Sequence, residues 1–142
     1  MRSLGCIIGV VVGILVTSVG AIAALRVTVT PLEGTPRTKF TVSFVVDREL
    51  TGGRWLEVKV VSPSTRSDCE RQESETVSYA PKGKRVDVVL RPWDRLRWCP
   101  GVYRGTIRVA RRVGCGGPDG PNTGPCWTNG PILARFSFSV TP

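Results

Sequence analysis

The sequence predicts an all-β fold, a single two-sheet antiparallel β-sandwich of about seven strands behind an apolar N-terminal segment. Two observations carry this. After residue 25 apolar and polar residues alternate nearly everywhere and no stretch has a helical period. Clusters of Gly, Pro, Ser and Asp separate the alternating runs, and one-sided alternation marks antiparallel sheets with one solvated face.

The runs follow in order. "RVTVT" (26–30) alternates Val27 and Val29, and "KFTVSFVVD" (39–47) puts Phe40, Val42, Phe44 and Val46 on one face. "RWLEVKVVSP" (54–63) does so with Leu56, Val58 and Val60, and gives a strand over 54–62. "SETVSYA" (74–80) alternates more weakly, and "KRVDVVLRP" (84–92) aligns Val86, Val88 and Leu90 over 84–91. "GVYRGTIRVAR" (101–111) sets Tyr103, Gly105, Ile107 and Val109 against Arg104, Thr106 and Arg108. "ILARFSFSV" (132–140) sets Ala134, Phe136, Phe138 and Val140 against Arg135, Ser137 and Ser139. Between the last two lies "VGCGGPDGPNTGPCWTNGP" (113–131), with six glycines and four prolines, which reads as a long connecting loop.

The first 24 residues form a separate unit. Arg2 is followed by no charged residue until Arg26, and Ala21-Ile22-Ala23 fits a cleavage site before Ala24. This is the layout of a signal peptide, and the uncharged run 3–25 is also long enough to stay as a membrane anchor. Both outcomes place residues 25–142 outside the cytoplasm, secreted or anchored. Cys6 precedes the apolar run, whereas a lipoprotein cysteine would follow it.

The exported part holds 118 residues, enough for one core. It carries 19 Lys and Arg against 11 Asp and Glu, a formal charge of about +8. Such a domain suits an acidic envelope protein, an anionic wall polymer or a lipid surface, and export argues against nucleic acid. The four exported cysteines, Cys69, Cys99, Cys115 and Cys126, read as two disulfides.

At "WCPGVYRGTIRV" a Pro-Gly turn enters an alternating run with Tyr103 near its start. This resembles the tyrosine corner of immunoglobulin-like and fibronectin type III sandwiches, which implies that the Tyr103 phenol bonds back to the preceding connection. The inter-sheet disulfide of antibody domains has no counterpart: the 39–47 run lacks cysteine, and Gly105 stands where its partner would be. Trp55 has the parity opposite to Leu56, Val58 and Val60, so it faces outward. Together with the export segment, "RVTVTP", "RTKFTVSF" and "ARFSFSV", the chain resembles small secreted proteins of high-GC Gram-positive bacteria that have no assigned activity. In a sandwich of this kind the 54–62 and 132–140 strands flank the 101–111 strand. That puts Cys69 with Cys99 at one pole and Cys115 with Cys126 at the other. Cross-pairing would span eleven residues, roughly 35 Å, where a disulfide needs Cα atoms within about 7 Å.

Candidate sites follow from the same arrangement. With no histidine in the chain, the commonest general base and the Ser-His and Cys-His pairs are missing, so the expectation is no enzyme. A hydrolase working without histidine is the distant alternative; Glu73 and Glu75 share one face of a run but read as a solvated edge. No cofactor or metal is expected: there is no C-x-x-C, and Asp119 and Asn122 in "PDGPNTG" are too few oxygens for calcium. Lys59, Arg104, Arg108 and Arg135 share an outward face with Glu57 and Trp55, a candidate surface for phosphate, carboxylate or anionic sugar. "RPWDRLRWCP" (91–100) places Trp93 and Trp98 among arginines, with one tryptophan expected to plug a pole. Trp127, beside the second cysteine pair, is the candidate anchor for a partner at the loop, with Asp119 and Asn122 at its tip. The reading is a non-catalytic binding or structural module of the cell envelope, with an anionic polymer or lipid surface on the basic face as the alternative.

Overall fold

A computed structural model describes residues 25–142 apart from 52, 79, 94, 95, 118 and 119; over 112–127 it describes the backbone. Residues 1–24, where a signal or anchor is expected, lie outside the described residues. The described chain is all β, in two sheets. β1 (Val27–Thr30), β3 (Phe40–Val45) and β6 (Arg85–Leu90) make a three-stranded sheet in the order β1-β3-β6. β2 (Glu33–Gly34), β4 (Arg54–Val61), β5 (Gln72–Val77), β7 (Gly101–Gly117) and β8 (Gly120–Val140) make a five-stranded one in the order β2-β8-β7-β4-β5. Among the described residues no helix is long and apolar enough to cross a membrane.

The alternation builds one core from both sheets. Phe40, Val42 and Phe44 of β3, Val88 and Leu90 of β6 and Val29 of β1 are buried with Leu56, Val58 and Val60 of β4, Tyr103 and Ile107 of β7, and Ala134, Phe138 and Val140 of β8. At one end the rings interlock: Phe138 stacks on Phe40 at 3.8 Å and on Tyr103 at 5.0 Å, with Trp98 edge-on to Tyr103 at 5.0 Å. Gly105 lies under the ring of its cross-strand partner Phe136, where any Cβ would overlap the ring. An aromatic ring thus occupies the space over the position that lacks a cysteine.

Four expectations need correction. β2 is an eighth strand and pairs in parallel with β8, Glu33 opposite Ser139, so the sheets are not wholly antiparallel. It is held by its neighbours' backbone bonds, Ser139 N–H to Leu32 C=O at 2.9 Å and Thr141 N–H to Gly34 C=O at 2.8 Å, and not by its own sequence pattern. The strand expected at 74–80 runs from 72 to 77, because Gln72–Val77 pairs with Val61–Leu56 of β4. Lastly, the described residues of 113–131 are strand and not loop. β7 and β8 go on pairing past Arg111, the last β7 residue opposite β4, through Val113↔Cys126 and Gly114↔Pro125 to Gly117↔Gly120. Proline fits a strand wherever its nitrogen faces no partner, and a two-stranded ribbon offers such positions on its outer edges.

Candidate functional site

The basic face is assembled by register. β7 lies between β4 and β8, so three rows cross the outer side of the sheet: Val61–Arg104–Ser137, Lys59–Thr106–Arg135 and Glu57–Arg108–Ile132. Arg104 and Arg135 are exposed, and Lys59 and Arg108 are half-buried. Lys59 and Arg135 flank Thr106 about 10 Å apart, two strand spacings of about 4.8 Å. Arg104 is two residues along β7 from Thr106 and projects from the same face.

The four cations are not equivalent. Arg108 Nε lies 3.8 Å from Glu57 Oε2, with both side chains largely covered, and that nitrogen is buried with no hydrogen-bond partner. The pair is thus an ion pair without a hydrogen bond, so Glu57 offsets Arg108 electrostatically. Among the described residues no ion pair involves Lys59, Arg104 or Arg135. Those three positive charges surround a threonine hydroxyl, with Ser137 beside Arg104 and Ser74 of β5 opposite Lys59. The hydroxyls went unread in the sequence, although the "RFSFSV" alternation already puts Ser137 on the side of Arg135. A sheet face of cations and hydroxyls can hold several anionic groups in a row. Trp55 stands half-buried at the end of this face, opposite the buried Ala110.

The pole below the face is clamped. Cys69 and Cys99 form a disulfide with Cα atoms 5.1 Å apart, as the strand order required. The Tyr103 phenol accepts from Cys99 N–H at 2.8 Å and donates to Glu70 C=O, so it bonds back to the β6–β7 connection. Burial pushes that phenol above its ordinary range, and it stays a neutral donor. Trp98 is the tryptophan that plugs the pole, 1 % exposed, with its indole N–H donating to Thr38 C=O at 2.8 Å. Trp93, five residues earlier, is 69 % exposed.

Glu73 departs from expectation. Its run predicts a solvated edge, yet Glu73 is 9 % exposed, opposite Val60 and on the inner side of β5. At the other pole the register places Cys126 opposite Val113, two residues before Cys115. The Cys115–Cys126 pairing and the side chains of Asn122 and Trp127 lie outside the described residues, as does Asp119. Among the described residues no group of three or more His, Cys, Asp or Glu is placed to hold a metal ion. Comparison with family models, with curated proteins and with solved structures found no match to this chain.

Proposed function

We propose that the chain is an exported, non-catalytic binding module of the cell envelope, an immunoglobulin-like β-sandwich whose outer β4–β7–β8 face takes an anionic polymer. The observation that carries the ligand class is the trio Lys59, Arg104 and Arg135 around Thr106, three cations with no carboxylate partner among the described residues. Charges held on a rigid sheet at strand spacing suit a chain of repeating anions better than one small ion. The strand order, with β1-β3-β6 facing the β8-β7-β4 part of the larger sheet across one core, and the Tyr103 bond support the sandwich class. Export rests on the apolar run 3–25, and a disulfide fits an oxidising compartment.

The test is co-sedimentation or calorimetry with poly(glycerol phosphate), set against vesicles of anionic lipid. Affinity is expected to fall steeply with salt, because exposed charges are screened within about 8 Å at physiological ionic strength. The variant K59Q/R104Q/R135Q is expected to lose at least about tenfold, since each exposed charge contributes up to about 1 kcal/mol. Salt-independent binding, or a triple variant that binds like the parent, overturns the reading. Binding to vesicles alone would replace the polymer with a lipid surface.

A further inference from the structure

We infer that the groove at the open edge between the two sheets is a second binding site, built for an acidic oligosaccharide. The groove has a volume of about 860 Å³. It is lined by β5, the end strand of the wider sheet, and by the residues that follow β6, the end strand of the narrower one. Glu75 and Glu73 lie opposite Val58 and Val60 of β4, so both carboxyl groups turn to the inner side of their sheet. There they meet the groove instead of the core. Arg37 and Lys39 line it from the turn before β3, and Arg91, Trp93 and Arg97 from the β6–β7 connection.

Three features point to a ligand. First, Glu73 is 9 % exposed, yet no hydrogen bond or ion pair reaches its carboxyl from the described residues. The carboxyl oxygens are reached from the groove, so the donors they lack within the fold come from that side. Burial, then the charges of Glu70 and Glu75, push its titration above the ordinary range, and Arg91 only partly offsets them. Second, Arg37, Lys39, Arg91 and Arg97 line the same space without an ion pair to either glutamate. Third, Trp93 presents an indole 69 % exposed at the rim.

The occupant must therefore supply hydroxyl donors, anions and a flat apolar face together. A polyanionic peptide would satisfy the cations but set its charges against Glu73 and Glu75. A free phosphate would engage a cation and leave Glu73 unpartnered. A sugar chain bearing carboxylates does all three: hydroxyls donate to Glu73 and Glu75, carboxylates meet planar guanidinium groups, and a ring face covers Trp93. The volume lies in the range of about 300–1,000 Å³ usual for ligand pockets. None of this rests on the outer β4–β7–β8 face.

The experiment titrates the oxidised full chain carrying K59Q/R104Q/R135Q, which removes the outer face as an anion site, with hexagalacturonate, maltohexaose and hexaglutamate, followed by tryptophan fluorescence and calorimetry. Hexagalacturonate is expected to bind at least about tenfold more tightly than the other two, the difference that about one charge-assisted hydrogen bond makes. In that background Trp93→Leu and the pair R37Q/R91Q are each expected to weaken it by about tenfold or more. Equal binding of hexaglutamate or maltohexaose overturns the proposal, as does a Trp93→Leu variant that binds like the parent or an outer-face variant that abolishes binding. Trp93 is largely exposed, so its substitution decides the question alone if the arginine variant does not fold.

Discussion

Tyr103→Phe removes one oxygen from the clamped pole and nothing else, which makes its cost calculable. The ring stays: its stacking on Phe138 at 5.0 Å and its edge contact with Trp98 at 5.0 Å involve no phenol oxygen. What goes is the acceptor for Cys99 N–H at 2.8 Å and the donor to Glu70 C=O. A buried N–H and a half-buried C=O lose a partner, and each such loss costs about 1–3 kcal/mol when the group is fully buried. Cys99 N–H has a second, longer bond to Glu70 C=O at 3.4 Å, which shortens under relaxation and satisfies part of both groups. The lower end of the range then applies to each, and the sum is about 2 kcal/mol. With a urea slope of about 1–3 kcal/mol per molar, the unfolding midpoint of the oxidised protein should fall by about 1 M with the slope unchanged. A loss below about 0.5 kcal/mol would refute the reasoning, because it would mean that water or a neighbour replaces the phenol at no cost.

Two further substitutions probe the sheets. Gly105→Ala drives a methyl group into the Phe136 ring and is expected to cost about 1–3 kcal/mol in thermal unfolding. Adding Phe136→Ala should recover part of that loss, and strict additivity of the two would show that the ring is not the obstacle. Glu73→Gln tests the groove through pH. Burial and the neighbouring carboxylates raise the folded-state titration of Glu73 above 4.5, so the folded protein holds the proton more tightly than the unfolded chain does. Its contribution is then fully present below the ordinary glutamate value and is lost as pH rises through the raised one. Relative to the parent, Glu73→Gln should therefore gain urea stability at neutral pH and gain little in acid. A variant less stable than the parent at neutral pH would contradict this.

How much was legible depended on whether a residue's role follows from its own strand. Phe40, Val42 and Phe44, or Leu56, Val58 and Val60, declare their burial by alternation, and the register then brings Lys59, Arg104 and Arg135 together without further information. The same rule misplaced Glu73. Alternation tells that Glu73 and Glu75 share a side with Val77, but not that β5 ends the wider sheet and turns this side toward a groove. Trp93 and Trp98 sit in one stretch of similar composition, and their opposite burial is set by distant groups. Trp98 bonds through its backbone to Pro36 C=O and through its ring to Thr38 C=O, contacts with residues about sixty positions away. The ribbon of 112–117 and 120–127 was hidden by its glycines and prolines, which signal loops when strands are assumed to need partners on both sides.

The clamp at the pole and the groove beside it are one construction. Glu70 N–H donates to Arg97 C=O at 2.7 Å, Trp98 N–H donates to Pro36 C=O at 2.8 Å, and the Cys69–Cys99 bond closes the same junction covalently. These links tie together the three segments that carry the groove's side chains: the turn with Arg37, the lead into β5 with Glu73, and the connection with Arg91 and Trp93. A site made from three separate segments would ordinarily spend ligand affinity on ordering them, at about 0.5–1.5 kcal/mol for each mobile side chain. Here the backbones under the walls are fixed before any ligand arrives, so only the arginine, lysine and indole tips remain to be ordered. The disulfide and Tyr103 are needed by a small two-sheet domain for stability in any case. Because they join the segments that carry Arg37, Glu73 and Trp93, the same bonds are the source of the groove's rigidity.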